Sequence, residues 1–183
     1  QSKHKICIDG NFADWDGAVA YEAIKGNTIH RNSRGWGDYH YINNSGRNDI
    51  VGARVAHDAK NIYFYVECAS AITSPTVNAW MRLYINTDRE ATTGWEGYDY
   101  ILNRTTPSQT AILEHSAEGW VWSKAGDVAY CVDGCRMEIA IPRKALQLDD
   151  KKPFEIEFKW VDNSQVDGDI YDFYLSGDAA PLG

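Results

Sequence analysis

The sequence predicts an all-β fold, an antiparallel β-sandwich of two sheets with jelly-roll or immunoglobulin-like connections. Three observations predict it. Apolar and polar residues alternate with period two in several short runs, turn-forming residues separate those runs at short intervals, and no strand–helix–strand rhythm interrupts them. The chain has 183 residues. A domain of that size buries about 70% of its unfolded surface and needs no disulfide or structural metal to fold. With no repeat, linker or low-complexity segment, residues 1–183 are expected to form a single domain.

The elements follow in chain order. The opening "QSKHKICIDG" has no initiator Met and suggests a mature or excised piece of a larger secreted protein, its export signal already removed. Residues 25–49 are the longest irregular stretch and carry Trp36, Tyr39, His40 and Tyr41. A segment of that length is functional, disordered or home to a short strand of its own, and so many rings argue against disorder. In "NIYFYVECA", Ile62, Phe64, Val66 and Cys68 point one way and Tyr63, Tyr65 and Glu67 the other. In "NAWMRLYINTD" (78–88), Met81, Leu83 and Ile85 make an apolar face, leaving Trp80, Arg82, Tyr84 and Asn86 opposite. "CRMEIAIP" and "PFEIEFKWVD" alternate in the same way, and "PRKALQL" (142–148) reads as one helical turn opened by Pro142. The expected core includes Phe64, Leu83, Ile139, Ile156 and Phe158. Turn signals lie in "HDAKN", "AEGW", "VDGC" and "QVDGD".

Charge and motif content narrow the function. A formal net charge of -8 without any basic run disfavours nucleic acid as a partner, and no apolar run is long enough to insert in a membrane. No Ser/His/Asp order, nucleophile elbow or metal triad is visible. Carboxylates such as Glu67 and Asp99 could in principle act on glycosidic bonds, but on a sugar-binding face they serve as hydroxyl acceptors, so a non-catalytic role is expected. Four cysteines allow three pairings. Cys131 and Cys135 flank a tight turn, and Cys7 with Cys68 would tie an early strand to a central one. Four free thiols are equally compatible, and no spacing suggests zinc.

The face opposite Met81, Leu83 and Ile85 is unusual, because indole, guanidinium and phenol in a row are a large ring surface to leave toward water. Rings mixed with Arg, Glu and Asn suit a sugar, whose C–H faces stack on aromatics while planar polar side chains take its hydroxyls. The alternative is that the rings form cross-strand pairs or lie beneath another layer. On the sugar reading, Trp80, Arg82 and Tyr84 are the site, flanked by Tyr63, and truncating Trp80 weakens binding while leaving stability nearly unchanged.

Taken in order, "CIDGNFADWDGAVAYE", "GARVAHDAKNIYFYVECA", "NAWMRLYINTD" with "TGWEGYDYILNR", "CRMEIAIPRKAL" and "FEIEFKWVDNSQ" resemble the family 9 carbohydrate-binding modules and the wider DOMON-like sandwich domains. The resemblance implies that Trp80 is one wall of an aromatic clamp on a sugar unit. The acidic and amide residues that follow this Trp in the family are replaced by Met81 and Arg82. The family's second clamp Trp, near the C-terminus, has no counterpart in "SGDAAPLG", which leaves Trp36 and Trp95 as candidates for the other wall. The resemblance also implies structural calcium, with Asp88, Glu96 and Asp99 in an acidic turn as the leading ligands, Glu90 beside them, and Asp9, Asp14 and Asp16 as a second set. It implies an oligo- or polysaccharide partner and the catalytic domain of a parent enzyme, in a secreted, periplasmic or cell-surface setting. Two other readings remain. One is a ligand-free accessory domain. The other is a haem-binding DOMON-type domain with Met137 and His115 as axial ligands.

Overall fold

A computed structural model describes residues 5–22, 31–34, 40–43, 47–148, 154–170, 173 and 178–180. The described chain is mostly strand: β1 (Val19–Glu22), β2 (Arg31–Arg34), β3 (His40–Asn43), β4 (Ile50–His57), β5 (Asn61–Cys68), β6 (Arg82–Asn86), β7 (Tyr100–Leu102), β8 (Ala111–Glu118), β9 (Val121–Asp133), β10 (Arg136–Pro142), β11 (Glu157–Asp162) and β12 (Asp178–Ala180). The long segment 25–49 contributes β2 and β3, which among the described residues pair with each other and not with the main sheet. The helical turn expected after Pro142 is a single 3-10 turn, Arg143–Leu146.

The other ten strands form one continuous antiparallel sheet in the order β1-β4-β5-β10-β9-β8-β7-β6-β11-β12. Continuity comes from β9. Its first part, through Val128, pairs with β8, while Ala129–Asp133 pairs with β10. Register shifts in β8, between Leu113 and Glu114 and between Ser116 and Glu118, lie beside it, and such bulges increase local twist. The sheet curls far enough for β12 to come back against β4.

The concave interior is the core that the alternation predicts. Phe64, Leu83 and Ile139 are fully buried, Phe158 is buried beside them, and Ile156 packs on them from a partly buried position. Leu83 pairs with Trp160 and Ile85 with Phe158 across β6 and β11, so both strands turn one apolar face inward.

The convex face is covered in two places. Over β5, Tyr63 and Tyr65 are buried beneath Ile6 and Trp15 of the N-terminal segment. Glu138, which has no exposure, latches that segment. Its Oε1 accepts from the amides of Asp9 and Gly10, each at 2.9 Å, and its Oε2 from the Trp15 indole at 2.9 Å. Three donors to one carboxylate make its burial tolerable. Over β6, Tyr84 packs with Trp95, Ile101, Val161 and Phe173, and Phe173 meets the Tyr84 ring edge-on at 4.9 Å. A second layer therefore covers this ring-rich face, built from the turn around Trp95 and the segment after β11.

Gly168 seats that second segment. It lies at φ +74, and a Cβ there would come within 2.9 Å of Trp120 Cγ. Left-handed backbone costs an L-residue about 1 kcal/mol, and overpacking adds about 1–3 kcal/mol. Gly168→Ala is expected to destabilise the fold by about 2–4 kcal/mol in urea unfolding. A loss below 0.5 kcal/mol would mean the segment does not rest on Trp120.

Candidate functional site

The approach to β6 decides where its first side chains go. Ala79 and Met81 both sit in left-handed backbone, at φ 51 and φ 37. Non-glycine residues in that region cost roughly 1–3 kcal/mol each and persist only where the surroundings over-determine them. Here they do. Asp162 Oδ1 accepts the Met81 amide at 2.9 Å, the Asn103 side-chain amide donates to the Met81 carbonyl at 2.9 Å, and the Asn163 amide donates to the Ala79 carbonyl at 2.9 Å. Arg47 Nε donates to Asp162 Oδ2 at 3.0 Å, and its Nη2 reaches the carbonyls of Asn78 and Ala79. Asp162 is wholly buried. Burial, the largest influence, holds its pKa above the usual carboxylate value, although Arg47 and the Met81 amide pull it back.

Two left-handed residues flanking Trp80 break the period-two pattern, and β6 begins only at Arg82. Trp80 and Met81 consequently both enter the interior core, where the indole donates to the Thr73 carbonyl at 2.9 Å. This corrects the expectation that Trp80, Arg82 and Tyr84 face water: their exposures are 2%, 3% and 1%. Nor do they form one face. Trp80 belongs to the interior and Tyr84 to the convex cluster. Arg82 reaches Asp167 Oδ1 at 2.6 Å and Ser164 Oγ at 3.3 Å.

The flanking candidates are corrected as well. β5 and β6 are not neighbours. Tyr63 is buried under the N-terminal segment and donates to Asp58 at 2.6 Å. Trp95 lies with Tyr84 in the convex cluster, so it cannot oppose Trp80 as the second wall of a clamp. Trp36 lies outside the described residues.

Trp80, although only 2% exposed, and Pro75 both line two neighbouring clefts. The first, about 200 Å3, is bounded by Asn78, Trp80, Arg82, Asn103, Arg104 and Thr106. The second, about 310 Å3, lies against Thr73, Ser108, Gln109 and Tyr130. Two residues of the first cleft each keep a buried polar atom without a hydrogen-bond partner among the described residues: Arg82 Nε and Asn103 Oδ1. An orphaned buried polar atom costs about 1–3 kcal/mol. Glu114 holds Arg104 side-on, at 2.9 Å to Nε and 2.7 Å to Nη2. Asn103 and Arg104 were not foreseen as site residues. Their signal is the Asn-Arg pair closing "YILNR", followed at once by the polar loop "TTPSQT".

The calcium candidates are not gathered into a ligand set. Asp99 is buried and accepts from the Thr87 amide and hydroxyl, Asp88 caps the amide of Glu90, and Glu96 is exposed. In the second set, Asp14 accepts the Cys7 amide and Asp9 that of Asn11. Among the described residues no group of three His, Cys, Asp or Glu is arranged to hold a metal. The cysteines are four free thiols, with Cys7 exposed and Cys68 in the core. Of the haem candidates, Met137 is in the core and His115 packs against the Tyr100 ring at 4.9 Å. No helix among the described residues is long and apolar enough to cross a membrane.

No protein-family model matches the chain, and no curated protein matches it.

Burial of Trp80 reverses the expected consequence of its removal. Trp80→Ala opens a cavity in the core and is expected to cost about 3–5 kcal/mol, read as a lower urea midpoint. A variant as stable as the parent would return the ring to the surface.

Proposed function

We propose that the chain is a non-catalytic carbohydrate-binding domain whose site is the cleft beside Trp80, bounded by the ends of β6 and β7. One observation carries the reading: Arg82 and Asn103, on the same small polar cleft, keep a buried donor and a buried acceptor that no described residue satisfies. A sugar hydroxyl both accepts and donates, so adjacent hydroxyls match such a pair. Pro75, beside the nearly buried Trp80, supplies apolar surface for the C–H side of the ring. Sugar recognition in this reading rests on planar polar groups at the rim of a buried Trp, without stacking on an exposed ring. The ordered resemblance to family 9 carbohydrate-binding modules supports the same class. We read the curled sheet as the two layers of a sandwich, divided along β9. A polysaccharide and the catalytic domain of a parent enzyme are the partners this role implies, in a secreted or cell-surface setting.

Thr106 is exposed on the cleft rim and makes a steric block practicable. On a glycan array or in affinity gels the protein is expected to retain at least one oligosaccharide. Thr106→Trp is expected to weaken that binding at least tenfold, about 1.4 kcal/mol, while stability moves by less than about 0.5 kcal/mol, as exposed substitutions do. Unchanged binding in the variant would place the site elsewhere. Absence of any glycan binding would overturn the function.

A further inference from the structure

The charged residues lining the Trp80 cleft are all of one sign. Among the described residues these are Arg82 and Arg104, and no carboxylate lines the cleft, although the chain carries a net charge of -8. Both guanidinium groups are paired with a carboxylate that is not among the lining residues, Asp167 for Arg82 and Glu114 for Arg104, so the cleft wall presents cationic donors and no carboxylate acceptor.

Each arginine is held from behind. Asp167 and Ser164 grip one terminal nitrogen of Arg82, and Nε has no hydrogen-bond partner among the described residues. Glu114 takes Arg104 through Nε and Nη2, and Nη1 makes no hydrogen bond among the described residues. Glu114 is 7% exposed against 30% for Arg104, so the carboxylate lies deeper and the guanidinium nearer solvent. A planar fork fixed in this way is pre-organised for a carboxylate, because little side-chain freedom is lost on binding. The neighbouring Asn103 carbonyl and Thr106 hydroxyl remain suited to ring hydroxyls.

We infer that the sugar this cleft takes carries a carboxylate: a uronic acid residue, its carboxylate on the guanidinium of Arg104 and its hydroxyls on Asn103 and Arg82. The inference rests on the carbohydrate-binding reading and narrows its ligand to acidic glycans.

Calorimetric titration with oligosaccharides of galacturonic, glucuronic and mannuronic acid, each beside its own methyl ester, tests the charge apart from the sugar. At least one acid is expected to bind tenfold or more tighter than its ester at low salt. In 1 M NaCl, where the screening length is about 3 Å, the difference should shrink severalfold. Arg104→Gln combined with Glu114→Gln removes both charges without stranding a buried carboxylate, and should abolish the preference for acid over ester. An ester that binds as well as its acid in all three series overturns the inference while leaving sugar binding intact. A preference that survives in the double variant also overturns the assignment to Arg104. If neither acids, esters nor any neutral glycan binds, the carbohydrate-binding reading falls too.

Discussion

The buried Asp162 carboxylate organises the part of the molecule that matters most here. It accepts the Met81 amide with one oxygen and the Arg47 guanidinium with the other, and Arg47 in turn holds the carbonyls of Asn78 and Ala79. Removing one partner from a buried ion pair costs about 3–5 kcal/mol, whereas replacing both by well-packed apolar groups can be neutral. The pair is therefore better understood as a device for specifying conformation than as a source of net stability. What it specifies is a left-handed kink on either side of Trp80. From that kink follow the inward turn of Trp80, the start of β6 at Arg82, and the shape of the cleft between them.

The same logic recurs on the opposite side of the sheet. Glu138 points away from the interior, and a strand residue there would ordinarily meet water. Instead it collects two backbone amides and an indole from residues 9–15 and so fastens a covering segment over Tyr63 and Tyr65. Over β6 the covering is apolar, through Phe173, Trp95 and the Trp120 ring beneath Gly168. Both convex clusters show why a strand face rich in rings need not be a binding face. Aromatic side chains bury 150–250 Å2 each and serve equally well beneath a strap as beneath a ligand. Which of the two occurs depends on residues distant in sequence.

That dependence sets the boundary of what could be read from the sequence. Period-two alternation placed Phe64, Leu83, Ile139 and Phe158 inside correctly, because each lies within an uninterrupted strand where geometry is local. It misplaced Trp80 because the break at Ala79 and Met81 is imposed by Asp162 and Arg47, and nothing in "NAWMR" itself demands positive φ. It grouped Tyr63 with Trp80 because strand order is non-sequential, with β10, β9, β8 and β7 standing between β5 and β6. The covering of Tyr84 was hidden in "QVDGD", which reads as an ordinary turn and is one, with the added duty of seating Gly168 on Trp120. Arg82 stood out in the sequence as an oddity in a strand, but its burial at 3% exposure was not legible there. Asn103 and Arg104 became visible only once β7 was seen to end beside the start of β6.

The inward placement of Trp80 by Asp162 is the claim on which the site geometry rests. Hydrogen exchange of the Trp80 indole N–H and the Met81 amide, followed by NMR, reads it directly. Both protons are hydrogen-bonded, the indole N–H to Thr73 O at 2.9 Å and the Met81 amide to the buried Asp162 Oδ1 at 2.9 Å. Both are expected to exchange with an opening free energy near that of global unfolding. An indole proton exchanging within a few-fold of the unfolded-chain rate, while the Leu83 amide stays protected, would contradict it and put Trp80 back at the surface.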